Sequence, residues 1–376
     1  MSNTLSAWKR LKRNKAAVAG LLVITFSVII SIAAYLLAPD NTPDANRMVL
    51  EIEGQRPGFH IHMLVVKKEQ TVPRVSVFQK MLFGQESDVT WIPIRSWAFR
   101  DSAIIVQRYV DESTVREEKY NLEEVWAGKR STTSMSLKEL QDKISDTRIF
   151  EQTYWLGTDK FGRDILSRLL VGTRVSLGVG CVAVLVSLTI GVLLGALAGY
   201  FRGFADDMVM WLVNVVWSMP SLLLVFALTL ALGKGFWQVF IAVGFTLWVG
   251  VARIIRGQIL SIRELEYIEA TRALGYGHTR IIIKHILPNI MGPVMVVAAG
   301  NFATAIVVEA GLSFLGVGVQ PPQPSWGLMI KENYNFIITH NPLLALAPGV
   351  AIMLLVLAFN LLGNGLRDAL DVRSKI

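Results

Sequence analysis

Six stretches of this chain run for roughly 18 residues or more with almost no charge, the length at which a helix crosses the apolar layer of a bilayer. They span 16–38, 175–200, 208–232, 236–252, 290–315 and 343–366, and only Glu309 interrupts one of them. With 52% hydrophobic residues, 18% charged and a mean hydropathy of +0.46, the chain is too apolar for an ordinary soluble domain of 376 residues. The pattern predicts an all-α polytopic membrane protein with six transmembrane helices. Residues 39–152 between the first two runs are an exception and predict an inserted extracytoplasmic α+β domain.

Charge sets the orientation. The cluster "WKRLKRNK" precedes the first run and no small-residue cleavage site follows it, so this run reads as a retained helix with Lys9, Arg10, Lys12, Arg13 and Lys15 held in the cytoplasm. Six crossings return Arg367, Arg373 and Lys375 to the same side, giving cytoplasmic N- and C-termini and placing the insert outside. The formal charge of +8 is not a partner signal, because the insert holds about 16 Lys and Arg against about 18 Asp and Glu and the excess flanks the runs. Nucleic-acid binding therefore has no support. Cys181, the one cysteine, lies within a run, so the insert has no disulfide.

Within the insert, "VPRVSVFQKMLFG", "VTWIPIRSWAF" and "SAIIVQRYV" carry β-branched and aromatic residues in partial alternation and predict strands. In "SMSLKELQDKISDTRIF", Ser136 and Glu139 have capping-box spacing, which predicts a helix. His60 and His62 fall on one side of a strand, but two ligands are too few for a metal site and they read as surface histidines. In 153–174 the apolar Ile165, Leu166, Leu169 and Leu170 share one helical face apart from Arg163, Asp164, Ser167 and Arg168, predicting an amphipathic helix on the membrane surface with snorkelling arginines. The core of helices 2–6 then covers 175–376, with 1–38 forming the N-terminus and helix 1.

A polar interruption, "EYIEATRALGYGHTRIIIKHILPNI", separates the fourth and fifth runs inside a cytoplasmic loop at 262–289. Its first part favours helix, with Glu264, Glu266, Glu269, Arg263 and Arg272 spaced for i,i+3 pairing. Gly275 and Gly277 bracket Tyr276 where the chain must reverse. A second short helix, "HTRIIIKHIL", runs to Pro288, which marks the return to the bilayer. Ala270 and Ala273 keep one face low, leaving a stubby helix-turn-helix that another protein can approach, while Glu269 and Arg272 supply orienting charge. A solvated loop with no partner has the same pattern, so both readings stand on the residues alone.

The stretch "EATRALGYGHTRIIIKHILPN" closely resembles the EAA loop of ABC importer permeases, in which Glu-Ala-Ala, three residues, Gly, nine residues and Ile-x-Leu-Pro mark the helix that sits in a cleft of the ATPase subunit. Glu269, Ala270, Gly275, Leu287 and Pro288 match; Thr271 replaces the second Ala and His285 the Ile, and "HILPN" is typical of the peptide branch. "LGTDKFGRDILSRLLVGTRVSLGVG", "WVGVARIIRGQILSIRELEYIEA" and "EAGLSFLGVGVQPPQPSWGLMI" narrow the resemblance to C-type subunits of the dipeptide, oligopeptide and nickel family. It covers 153–376 strongly and 1–38 weakly, and leaves the insert outside.

The resemblance implies a type I ABC importer permease fold in a bacterial cytoplasmic membrane, forming half of a translocation path for peptides or similar small solutes. It implies a second, B-type permease chain as a heterodimer, two cytoplasmic ATPase subunits and an extracytoplasmic substrate-binding protein. It assigns ATPase coupling to Glu269, Ala270, Thr271, Arg272, Gly275, Leu287 and Pro288. The chain itself has no G-x-x-x-x-G-K-[ST], since Gly128-Lys129-Arg130 and Gly233-Lys234-Gly235 lack the flanking pattern. It therefore reads as a transport subunit without cofactor or metal, ATP and Mg²⁺ belonging to partners.

Glu309 is the conspicuous acid inside an apolar run, so it reads as a gate or path residue, with a local cap for "GLSFLG" as the alternative. Pro220 in "WSMPSLLLVF" predicts a kink that opens space for the path, or serves packing alone. Asn214 and Ser218, one turn apart, predict interhelical bonds. The stiff "PPQPSWG" is either rim or linker. The rival class is a secondary transporter or channel, which calls for repeats or midplane helix breaks and leaves the polar elbow unexplained.

Overall fold

The structure, a computed structural model, describes residues 2–70, 72–73, 75–111, 113–128, 135–233, 235–339 and 341–370. Arg373 and Lys375, and the Lys129, Arg130 and Lys234 of the discounted glycine–lysine patterns, lie outside the described residues. The basic helix α1 (Ser2–Arg13) leads into α2 (Lys15–Leu37) at Asn14, whose side chain accepts the Ala17 N–H at 3.1 Å and so satisfies one of the orphan donors at the start of an apolar helix.

The insert follows α2 and is built on five antiparallel strands ordered β4-β3-β2-β1-β5. In chain order these are β1 (Phe59–Lys67), α3 (Val77–Phe83), β2 (Val89–Arg100), β3 (Ala103–Tyr109), β4 (Val115–Asn121), α4 (Leu122–Ala127), α5 (Leu137–Thr147) and β5 (Ile149–Tyr154). One face of the sheet buries Leu64, Ile94, Ile104 and Val106 under Val125 of α4 and Ile144 of α5. Pro93 is tolerated in central β2 because β3 pairing reaches only to Ile94, with an irregularity between Ile94 and Ser96, so no ladder bond to β3 is lost there. Ser136 and Glu139 form the expected capping box on α5.

The expected strand in "VPRVSVFQKMLFG" is instead α3. Ser76 accepts the Gln79 N–H while the Gln79 side chain accepts the Ser76 N–H, and this second capping box, worth about 0.5–2 kcal/mol, outweighs the local β preference of Val and Phe. His60 and His62 do share one side of β1, but His60 Nε2 faces Glu151 at 3.9 Å and the His62 ring lies against Trp97. No group of three His, Cys, Asp or Glu side chains suited to a metal occurs among the described residues.

After β5 come α6 (Ile165–Phe201), α7 (Gly203–Trp217), α8 (Ser221–Leu232), α9 (Phe236–Ile262) and α10 (Glu266–Ala273). Then α11 (His278–Arg280) runs through a π-helical stretch, Ile281–Ile286, into α12 (Leu287–Leu315), followed by α13 (Trp326–Asn333), α14 (Phe336–Thr339) and α15 (Leu343–Leu370). Among the described residues five helices are long and apolar enough to cross a membrane, and the pair α7 and α8, bent by 92°, makes a sixth if counted as one span. Pro220 thus breaks the helix rather than kinking it: the chain leaves helical geometry, Pro220 takes ψ 122°, and a new helix begins at Ser221.

No separate surface helix forms over 153–174. Residues 149–154 belong to β5, the chain turns, and Asp164 caps α6 by accepting the Ser167 N–H at 2.9 Å, so Ile165 to Arg174 are the first turns of the 37-residue α6 itself. Glycine at every fourth position then lets α6 meet α9: a Cβ on Gly191, Gly195 or Gly199 would stand within 3 Å of the Trp248, Ala252 or Arg256 carbonyl oxygen. In a bilayer such close backbone approach replaces the hydrophobic drive that lipid removes. At one end of the bundle α1, α15 and α12 converge, with Gly365 against Ala17 and Gly292 against Leu370; the insert, the start of α6 and α13 occupy the other.

Candidate functional site

The elbow between α9 and α12 is held by its buried side and offers its exposed one. Ile268 on α10 is fully buried with Ile255 and Ile259 of α9 and Ile281, Ile286 and Ile290 beyond the turn. Each such isoleucine stabilises the packed state by about 1.5–3 kcal/mol relative to exposure. Thr271 is buried as well and donates its hydroxyl to the Ile268 carbonyl at 2.7 Å. Glu269, Ala270, Ala273 and Gly275 are exposed, as is Leu274 at 71%. Helical spacing therefore separates an anchoring side from a presenting one.

Gly275 ends α10 with φ +77°, its N–H donating to Arg272 O and the Tyr276 N–H to Thr271 O, a complete Schellman closure that a side chain would strain. Gly277 needs no such freedom: its φ is −64° and it leads directly into α11. The second arm is not a separate helix, because the π-helical stretch joins α11 to α12 without interruption. Pro288 lies in the first turn of α12, where its missing N–H is tolerated next to the wider π turn. Leu287 is half-buried in the Ile268 cluster and Pro288 is exposed. Asn289 closes the arms by donating to the His285 carbonyl at 2.7 Å and to the Tyr267 hydroxyl at 3.1 Å.

The charges differ from the i,i+3 expectation. Arg263 and Arg202 meet Glu264, and the Arg272 guanidinium lies over the Tyr200 ring at 5.3 Å, while Glu269 makes no ion pair among the described residues. Arg272 thus braces the elbow against the end of α6 and leaves the Glu269 carboxylate free. Tyr200 is the hub that sequence reasoning missed. Its hydroxyl pairs with His278 Nδ1 and its carbonyl accepts from Arg263. Burial, then the nearby Arg202 and Arg272 cations, pull the Arg263 pKa below its ordinary value.

At the opposite end Glu309 is fully buried. Its Oε1 accepts the Ser313 hydroxyl at 2.6 Å, Ser313 Oγ in turn accepts the Val319 N–H at 3.0 Å, and the Ser325 hydroxyl also lies within reach of the carboxylate. The backbone cap is thus Ser313, with Glu309 behind it. Pro220 is exposed at the α7–α8 break. Asn214 accepts from Arg253 at 3.4 Å, whereas Ser218 bonds back to the Val215 carbonyl within its own helix. In "PPQPSWG", Trp326 is buried and donates to the Leu169 carbonyl, and Gly327 packs on Ala310.

Next to it Arg163 and Arg168, expected to snorkel, are buried with Asp159 and Glu332: Arg163 Nε donates to Asp159 at 2.6 Å and its Nη2 to Glu332 at 2.7 Å. Two arginines can be desolvated here because two carboxylates accompany them. Burial raises the pKa of the neighbouring Asp164 and Asp44.

The chain is similar to known permeases. A family profile described as "Binding-protein-dependent transport system inner membrane component" matches residues 191–376, and one described as "N-terminal TM domain of oligopeptide transport permease C" matches residues 2–51. The glutathione transport system permease protein GsiD of Pectobacterium atrosepticum is 44% identical over 59% of this chain and 73% of its own length. The oligopeptide transport system permease protein OppC of Bacillus subtilis is 41% identical over 58% of this chain and 71% of its own. The chain belongs to the Dpp/Opp family of ABC importer permeases. A solved inward-facing MetNI methionine ABC transporter aligns with 54% of this chain and 96% of its own at 22% identity, with a TM-score of 0.46. As a C-type permease of this family the chain is a transport subunit rather than an enzyme, and ATP hydrolysis lies in partner subunits. The two profiles leave 52–190 unmatched, a stretch that includes the strands of the insert.

Proposed function

We propose that this permease forms half of an importer's translocation path and receives the ATPase stroke through the exposed face of α10. Glu269, Ala270, Thr271, Arg272 and Gly275, with Leu287 and Pro288 behind them, make a lever whose buried side is continuous with α9 and α12, so displacement of the elbow tilts both helices. The observation that carries this reading is the division of α10 into a fully buried Ile268 and Thr271 side and an exposed Glu269, Ala270 and Leu274 side that the chain itself leaves uncovered. The elbow then faces the cytoplasm with both termini, the insert lies outside, and the assembly comprises a B-type permease chain, two ATPase subunits binding ATP and Mg²⁺, and a binding protein that delivers solute. The names of the relatives support a peptide or glutathione-like cargo.

In the assembled complex, Glu269→Lys and Gly275→Leu are expected to preserve membrane insertion and abolish substrate-stimulated ATPase activity; normal stimulation in both variants removes the coupling role. A second assignment concerns Glu309, whose carboxyl group is fully buried inside a span with only serine hydroxyls and no cation beside it among the described residues. We assign it to the path at the insert end, where an outward-open state would uncover the carboxylate, with the α7–α8 break at Pro220 shaping the same path. Transport at wild-type rate by Glu309→Gln would reduce Glu309 to a support for Ser313.

A further inference from the structure

The insert carries a helix whose apolar face is bare at its N-terminal end, at Val77 and Phe78, and half-buried at Met81 and Leu82. On α3, Val77, Phe78, Met81 and Leu82 fall on one arc at i, i+1, i+4 and i+5, while Ser76, Gln79 and Lys80 occupy the opposite arc. Val77 is 74% exposed and Phe78 65%, and Phe83, at the helix end on the other arc, 70%, the highest exposures of any large apolar side chain among the described residues of the insert. The helix is also displaced from the sheet core, having no buried residue of its own.

Its depth is fixed by two tethers. The Gln85 N–H donates to the Asn41 carbonyl at 2.9 Å, just past the end of α2. Arg174 reaches from α6 to the Leu82 carbonyl at 2.8 Å and the Met81 carbonyl at 3.4 Å, with its guanidinium over the Tyr35 ring at 5.2 Å. Arg174 is nine residues into α6, about 14 Å along it at the usual rise, and Tyr35 belongs to the last turn of α2. The C-terminal end of α3 is therefore level with the closing turn of a membrane span rather than with the sheet. At that level α2 presents Leu36 and Leu37, 48% and 55% exposed, as the end of an apolar surface that also includes Phe26, Ile29 and Ile32.

We propose that α3 is an interfacial anchor that seats Val77 and Phe78 in the lipid bilayer beside α2 and fixes the insert against the membrane surface. The occupant is lipid because the bare face continues the lipid-facing surface of α2 at the same depth, and its aliphatic and phenyl groups ask for no polar partner. Arg174 holds the last carbonyls of α3, which have no helical acceptor role left and would otherwise be carried towards the bilayer unsatisfied.

The test places a nitroxide at Phe78→Cys and, separately, Val77→Cys in a Cys181→Ser background. The full chain with its transporter partners is reconstituted in vesicles of phosphatidylcholine and phosphatidylglycerol. Power-saturation EPR is expected to show collisions with dissolved oxygen exceeding those with a water-soluble nickel chelate severalfold at both sites, and the reverse at Glu86→Cys on the following linker. Chelate-dominated collisions at 77 and 78 would mean water, and low collisions with both reagents would mean a covering protein such as the second permease chain; either overturns the proposal. Should the labelled variants fail to assemble, the wild-type chain is irradiated with a diazirine-bearing acyl-chain lipid. Adducts within residues 75–83 support the anchor, and adducts on α2 without any in 75–83 refute it.

Discussion

The Tyr200 hydroxyl lies 3.0 Å from Nδ1 of His278, tying the last turn of α6 to the helix that leaves the elbow. Because Tyr200 also lies under Arg272 and accepts from Arg263, three points of the elbow converge on one residue of a neighbouring span. A stroke delivered to α10, as proposed, would consequently reach α6 as well as α9 and α12. Tyr200→Phe removes one part-buried hydrogen bond, worth about 0.5–1.5 kcal/mol, and is expected to lower ATP-driven uptake about two- to tenfold at unchanged membrane abundance. Uptake per molecule in proteoliposomes, compared with ATPase rate, measures it.

The charge cluster at the insert end makes a second prediction. Glu332→Gln leaves Arg163 and Arg168 buried with Asp159 alone, and loss of one partner from such a cluster costs about 3–5 kcal/mol. Arg163→Met added to Glu332→Gln should cost less than the sum of the single changes, since both remove the same contact. Thermal unfolding of the three variants in one detergent gives the comparison.

Helix contact in the bilayer part predicts opposite fates for two glycines of the same chain. Gly195→Ala would place its Cβ 2.6 Å from the Ala252 carbonyl oxygen and is expected to destabilise by about 1–3 kcal/mol. Gly257→Ala meets nothing within 4 Å and removes a flexible residue from the interior of α9, so it should be neutral or stabilising. Melting temperatures in matched detergent separate the two.

In the insert, burial and then the hydrogen bond to Glu118 push the Tyr120 phenol up to about 12 from 10.0. The fold favours the protonated phenol, so its contribution to stability is complete below pH 10 and is lost as pH rises through about 12, the unfolded chain having released the proton first. The difference in tyrosinate absorbance between the wild-type chain and Tyr120→Phe should therefore appear near pH 12 rather than pH 10.

Much of this molecule was legible from residue order alone. The apolar runs specify membrane helices because an uncharged stretch of that length has no other favourable surroundings, and the Glu269 to Pro288 spacing specifies the elbow because a glycine reversal and a proline sit at fixed distances along one chain. The capping boxes at Ser76 and Ser136 are equally local, but only the second was read; the strand expectation over 72–84 fails because the Ser76 and Gln79 box outweighs the β preference of the Val and Phe residues around it. What the linear order does not contain is pairing across long separations. Arg163 and Arg168 look like surface cations until Glu332, far along the chain, arrives beside them; Tyr200 looks like an interfacial aromatic until His278 folds back onto it. The π-helical join at Ile281–Ile286 and the 92° break at Pro220 likewise depend on which neighbours the freed backbone groups find. Local propensity and hydropathy act through adjacent residues, whereas the cost of burying a charge or freeing a carbonyl is decided by whatever the folded bundle places next to it.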